Sequence, residues 1–175
     1  MPEKFQTIVF LVRHGETDRP WKDDIPIDSQ RHLTERGKKQ IVLVAKYLAE
    51  FQPSALFTSP LNRCVESAEL INKQLPQQLN IQQQKELFEY YTPEKDSAVT
   101  NRVANFIEEA VREWVGHQIV AVTHQDPIQF ALAHYFKKNP IDFPCVMSDI
   151  YRLVFAYDEL IEATRLQPAK SLSNS

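Results

Sequence analysis

Nowhere does the chain hold the roughly 18 consecutive apolar residues that a membrane-crossing helix needs, so no membrane span is expected. Nor does positive charge dominate: 20 Lys and Arg against 23 Asp and Glu give a formal net charge of −3. That leaves no global attraction to nucleic acid or to an anionic membrane. Any anionic substrate must be held by a local cationic site, which singles out each arginine near a strand end. Only two cysteines are present, Cys64 and Cys145, with neither metal-ligand spacing nor an evident pairing. With no signal peptide visible, reduced thiols in a cytoplasmic protein are the expectation. Internal repeats are lacking as well. What remains is a composition ordinary for a soluble globular protein, 43% hydrophobic and 25% charged over 175 residues. One domain of that size buries roughly 70% of its unfolded surface.

The apolar run Ile8-Val9-Phe10-Leu11 reads as a fully buried strand, and Val12-Arg13-His14-Gly15-Glu16 follows it directly. A cation, an imidazole and a glycine are not packing choices, and in an open α/β sheet ligands bind at the C-terminal strand edge. Gly15 is expected to permit a sharp turn there. Asp18 to Arg31, with Pro20 and Pro26, reads as a polar loop across the mouth of the site. A helix is predicted from near Thr34 through Phe51 on the spacing of Ile41, Val44, Ala45 and Leu48. Ser54 to Ser59 reads as a second buried strand, with Pro60 in the first turn of the helix that follows. Gln77 to Gln84 is consistent with an edge strand or an extended loop. A third helix runs from Val99 to Trp114, Gly116 ends it, and Ile119 to Thr123 forms a third buried strand. A helix from about Pro127 to Lys138 and a closing antiparallel hairpin, Ile150 to Tyr157 and Leu160 to Leu166, complete the pattern. The alternation predicts an α/β fold, a three-layer α/β/α sandwich with a mostly parallel central sheet, over residues 1–167. Residues 168–175 are expected to form a frayed polar tail.

Three strand ends carry unusual residues: Arg13-His14-Gly15, then Thr58-Ser59-Pro60 with Arg63 a turn later, then Thr123-His124-Gln125. Parallel strands would bring them to one edge, where two arginines, two histidines and a helix N-terminus suit phosphate. A neutral imidazole with a reference pKa of about 6.5 is a competent nucleophile toward phosphorus. The alternative for Arg63 is a solvated helix residue paired with Glu66.

These residues resemble the histidine phosphatase superfamily, the phosphoglycerate mutase-like family, over most of the chain. Leu11-Val12-Arg13-His14-Gly15-Glu16-Thr17 looks like its signature. Leu33-Thr34-Glu35-Arg36-Gly37, Thr58-Ser59-Pro60-Leu61-Asn62-Arg63 and Val122-Thr123-His124 follow in the family's order. The resemblance implies a phosphoglycerate mutase-like fold and a metal-independent phosphatase, with no cofactor, acting through a phosphohistidine on His14. Arg13, Arg63 and His124 would surround the phosphoryl oxygens. No carboxylate–histidine cluster in the sequence demands a metal.

An alkoxide leaves poorly unless protonated, a contribution of roughly 10²–10⁴-fold. The family's Leu-x-Glu element matches Leu87-Phe88-Glu89, which makes Glu89 the first candidate acid; Glu86 and Glu94 lie nearby, and Asp126 is a second candidate. Asp126 also fits a helix cap before Pro127. Gln125 stands where the family commonly has glycine, and Pro20 where the mutase branch has asparagine. No long insertion between Thr58 and the third helix offers a substrate cap, so mutase activity is not expected. Arg31-His32-Leu33-Thr34 is similar to the small bacterial phosphohistidine phosphatase group, which implies a phosphate or substrate contact at Arg31. Thr17 and Gln125 are further substrate-binding candidates. The expected partner is a phosphorylated small molecule or a phosphohistidine protein. The alternative is a catalytically weak phosphate-binding or regulatory protein of the same fold.

Overall fold

The structure, a computed structural model, describes residues 5–173. Six strands form one sheet in the order β3-β2-β4-β1-β5-β6. They are β1 (Gln6–Arg13), β2 (Ala55–Thr58), β3 (Ile81–Gln83), β4 (Gln118–Thr123), β5 (Ile150–Ala156) and β6 (Glu159–Leu166). The first four pair in parallel, whereas β5 pairs antiparallel with β1 and β6 antiparallel with β5. Among the described residues the α-helices are α1 (Ile25–Asp28), α2 (Glu35–Ala49), α3 (Asn62–Gln74), α4 (Asp96–Glu113), α5 (Gln125–Phe136) and α6 (Lys170–Ser173). The expected α/β sandwich with a mostly parallel sheet is what forms.

The central strands show why their middle stretches, 8–12 and 119–122, are apolar at every position. Along β1, Val9 and Leu11 enter one core with α4 and α5, while Phe10 and Val12 enter the other with α2 and α3. Along β4, Ile119 and Ala121 divide from Val120 and Val122 in the same way. A strand buried on both faces must be apolar at every position, because successive side chains point to opposite sides.

Several boundaries differ from those the sequence predicts. The 18–31 loop contains α1, whose N-cap Asp24 accepts a hydrogen bond from the Ile27 N–H at 3.0 Å. Pro60 lies outside α3, which begins at Asn62 after Leu61 as N-cap. Helix α5 starts two residues early, at Gln125, with Pro127 in its first turn, where the missing N–H leaves no intrahelical bond unmade. His124 is the N-cap of α5, and Asp126 is its second residue rather than its cap. The tail is not frayed over its described part: Ala169 is buried, and the Leu172 carbonyl accepts from Arg36 Nε at 2.7 Å.

Gly15 serves a different purpose from the one expected. Its φ is not positive; instead, a Cβ there would lie 2.6 Å from the Gly37 carbonyl oxygen. A Cβ on Gly37 would lie 2.1 Å from the Glu16 carbonyl oxygen. The two glycines let the first turn of α2 press against the backbone after β1, and Thr34 caps that turn by accepting from the Gly37 N–H at 2.9 Å.

Candidate active site

Sheet register delivers the two histidines together. Arg13 pairs with Thr123 as the last residues of β1 and β4, so His14 and His124 leave the sheet side by side. The His14 N–H donates to the Thr123 carbonyl at 3.2 Å, and the ring centroids are 5.4 Å apart, edge to face. Strand β2 pairs with the other side of β4 and brings Ser59, whose Oγ lies 2.8 Å from His124 Nε2.

The tautomer of His14 follows from its partner. Nδ1 lies 2.8 Å from the Gly15 carbonyl oxygen, which only accepts, so Nδ1 carries the proton and Nε2 holds the lone pair. Arg63 Nε donates toward that lone pair at 3.3 Å. Burial, then the Arg63 and Arg13 guanidinium charges, hold the His14 pKa well below its ordinary 6.5. His124 is held low by burial, Arg63 and His14 in that order. Both rings are therefore neutral at physiological pH.

A cavity of about 240 Å³ opens beside His14, lined by Arg13, His14, Trp21, Arg31, Glu89, Gln125 and Asp126. Arg63 and His124 are fully buried beneath this lining and touch it through His14 and Glu89. Arg13 Nη1 donates to the Cys145 carbonyl at 2.6 Å and to Gln125 Oε1 at 2.8 Å. Gln125 thus acts on the pocket through its side chain, by holding Arg13. The buried Nε atoms of Arg13 and Arg31 have no hydrogen-bond partner, which leaves two donors of the cavity's arginines for an anion. Thr17 Oγ1 accepts from Arg31 Nη2 at 2.7 Å and donates to the Arg19 carbonyl at 3.1 Å. It buttresses Arg31 instead of lining the cavity.

Glu89 arrives on the segment after β3. The Thr123 hydroxyl donates to the Leu87 carbonyl at 2.7 Å, and Arg102 Nη1 donates to the Glu86 and Phe88 carbonyls, each at 2.7 Å. Its carboxylate Oε2 stands 3.6 Å from His124 Nδ1 and 3.8 Å from Arg63 Nη2. Burial pushes the Glu89 pKa up to about 7 against the pull of the Tyr90 N–H, with nearby Asp126 adding to the rise. Asp126 is raised by its own burial and faces the same cavity. Glu94 is turned away and pairs with Arg102.

Glu66, the helical alternative for Arg63, instead pairs with the His32 ring and accepts from the Leu33 N–H at 2.8 Å. Arg63 is engaged by Asp28, 2.9 Å from its Nη2. Sequence reasoning missed Asp28, which meets Arg63, Arg31 and the Tyr91 hydroxyl behind the cavity. Among the described residues, no group of three or more His, Cys, Asp and Glu side chains is placed to hold a metal ion. Nor is any helix there long and apolar enough to cross a membrane.

Enzymes that handle phosphate are the class that such an arginine-lined pocket serves, at the C-terminal edge of parallel strands. Comparison with known proteins makes this particular. The model of the histidine phosphatase superfamily (branch 1) matches residues 9–94 and 83–158, and the chain belongs to that superfamily. The uncharacterized phosphatase PhoE of Bacillus subtilis is 38% identical over 77 residues, which span 39% of this chain and 36% of PhoE. The uncharacterized protein Rv0525 of Mycobacterium tuberculosis is 25% identical over 97% of this chain and 99% of its own. Among solved structures, a phosphoserine phosphatase from Entamoeba histolytica superposes with a TM-score of 0.76 at 15% identity, over 94% of this chain and 98% of that one. The protein histidine phosphatase SixA, complexed with tungstate, superposes at 0.74 with 18% identity, over 94% and 99% of the two chains. The structural likenesses show a shared fold.

Proposed function

We propose that the protein hydrolyses a phosphomonoester or phosphoramidate, without a metal, through a covalent phosphohistidine on His14. The observation that carries this reading is the buried, neutral His14 ring, its Nδ1–H committed to the Gly15 carbonyl and its Nε2 lone pair facing Arg63. In the first step Nε2 forms a bond to phosphorus as the bond to the leaving group breaks. A leaving alkoxide oxygen takes a proton from Glu89, whose pKa near 7 keeps a useful protonated fraction at neutral pH; a phosphoramidate nitrogen, basic enough to take its proton from solvent, needs that acid little. In the second step water attacks the phosphohistidine, Glu89 accepts its proton, and His14 departs with its lone pair restored. Arg13, Arg31, Arg63 and His124 meet the charge on the phosphoryl oxygens, where positioning and electrostatics supply most of the catalysis. Glu89 is favoured over Asp126 as the acid because it alone of the two stands within 4 Å of both His124 and Arg63.

The substrate is a phosphorylated small molecule or a phosphohistidine protein. Kinship of fold with a phosphoserine phosphatase and with a protein histidine phosphatase supports both. Incubation with labelled phosphoramidate and with an aryl phosphate tests the reading. An acid-labile phosphoenzyme that His14→Ala abolishes is expected; absence of both label and turnover would leave only phosphate binding.

A further inference from the structure

Asp28 ends α1 in the polar loop across the mouth of the site, yet it is fully buried. Every acceptor position it owns is used. Oδ1 accepts from Arg31 Nη1 at 3.0 Å and from the Lys22 N–H at 3.1 Å. Oδ2 accepts from Arg63 Nη2 at 2.9 Å and from the Tyr91 hydroxyl. Its backbone carbonyl accepts from Arg63 Nη1 at 3.2 Å. Burial alone would push this carboxyl up; Tyr91, Arg63, the Lys22 N–H and Arg31 together outweigh it and hold it below its ordinary value. A buried charge is costly unless its partners are complete, and here they are.

The geometry has consequences on both sides of the reacting phosphorus. With both Nη atoms of Arg63 held by Asp28, the guanidinium plane is fixed so that Nε faces His14 Nε2, while Nη2 lies 3.8 Å from Glu89. The Nε–Nη2 edge therefore runs from nucleophile toward acid, alongside the line of transfer. The second carboxylate oxygen fixes Arg31 in the cavity wall. Through Tyr91 the same carboxylate anchors the segment carrying Glu89, two residues earlier in the chain, and the Tyr91 ring stacks with Trp21 at 6.3 Å and 13°.

We propose that Asp28 is the positioning residue of this site: one buried carboxylate that aims Arg63 and Arg31 at the phosphoryl group and, through Tyr91, sets Glu89 in register with His14. The proposal rests on the phosphatase reading above. It predicts a particular asymmetry in Asp28→Asn. The amide keeps the size of the carboxylate, but it turns an NH₂ toward a donor and removes the charge that both arginines face. A misaimed Arg63 fails in the transition state, while the uncompensated positive charge still attracts a ground-state dianion.

The test uses the full chain with an aryl phosphate, then inorganic phosphate and vanadate as inhibitors. In Asp28→Asn, kcat falls by about 10²-fold, the scale of a misplaced catalytic group. KM does not rise, inorganic phosphate binds no more weakly, and vanadate, as a transition-state mimic, binds at least tenfold more weakly. Equal weakening of phosphate and vanadate would mean that the pocket has merely collapsed, and would overturn the proposal. So would an unchanged kcat. Tyr91→Phe leaves all charges in place and covers the case in which Asp28→Asn does not fold. It slows an alkyl phosphate several-fold more than an aryl phosphate, since only the former depends strongly on Glu89. Equal slowing of both would refute the link to Glu89. A wild-type protein that neither turns over aryl phosphate nor binds vanadate would remove the phosphatase reading and this proposal together; an active wild type with an equally active Asp28→Asn removes this proposal alone.

Discussion

Arg63 Nε points at His14 Nε2 across 3.3 Å, although the two residues are 49 positions apart in the chain. A guanidinium cannot lose its proton, so it can approach that nitrogen only as a donor to a lone pair. The pair thus marks the nucleophilic atom and places beside it the cation that would meet the transferred group.

Arg63→Lys should therefore be far from conservative. Lysine keeps the charge but has no planar fork with which to span two phosphoryl oxygens. We expect kcat/KM on an aryl phosphate to fall by about 10²–10³-fold, the usual cost of losing one preorganised transition-state donor. Steady-state kinetics with a matched melting temperature checks this; a loss below tenfold would mean that Arg63 serves as a charge alone.

The pH dependence follows from Glu89. Its acid form is needed to release an alkoxide, and its pKa lies near 7, so kcat on an alkyl phosphate should fall tenfold per unit above about pH 7. His14 is held well below 6.5 and stays neutral, so it adds no loss between pH 6 and 7. Glu89→Gln should flatten the alkaline limb and slow phosphoenzyme formation from alkyl phosphates far more than from phosphoramidate. Stability obeys the same shift. The folded state keeps the Glu89 proton to higher pH than the unfolded chain does. Glu89 therefore contributes stability that declines as pH rises from its ordinary carboxylate value to about 7. A pH series of denaturant melts on the wild type and Glu89→Gln would show the difference in slope.

Arg102 holds the backbone that carries Glu89. Besides Glu86 and Phe88, it donates to the Glu89 carbonyl at 3.2 Å and pairs with Glu94 at 2.6 Å. Arg102→Ala should free this segment, cutting kcat on alkyl phosphates roughly tenfold or more through misplacement, with a smaller effect on phosphoramidate. Trapping the phosphoenzyme in each case would separate acid placement from nucleophilic attack, which should be nearly untouched.

Gly37 tests the packing behind the signature turn. A Cβ 2.1 Å from the Glu16 carbonyl cannot be accommodated by rotating a side chain, so backbone must shift. Gly37→Ala should destabilise by about 1–3 kcal/mol, as overpacking does. The shift should also disturb His14, two residues from Glu16. Chemical denaturation supplies the stability, and loss of under 0.5 kcal/mol would show that α2 can retreat freely.

The sequence by itself determined the frame of the site. Apolar runs buried on both faces announce themselves, and the residues that close them, Arg13-His14 and Thr123-His124, fall where a parallel sheet exposes its C-terminal edge. Those are local signals with a period or a boundary. Asp28 carries no such signal: beside Asp23 and Asp24 in a polar stretch it has nothing to set it apart, since its burial depends on Arg31, Arg63 and Tyr91 closing over it. Gly15 shows the same limit, for its role depends on how near α2 comes and not on its own φ. Thr17 and Gln125 were identifiable as residues near the site, but whether each faces the cavity or supports an arginine is a matter of side-chain direction. The tertiary structure decided which charges are neutralised and where each donor points. Hydrogen bonds between residues dozens of positions apart exist only once the chain has folded, and no local pattern encodes them.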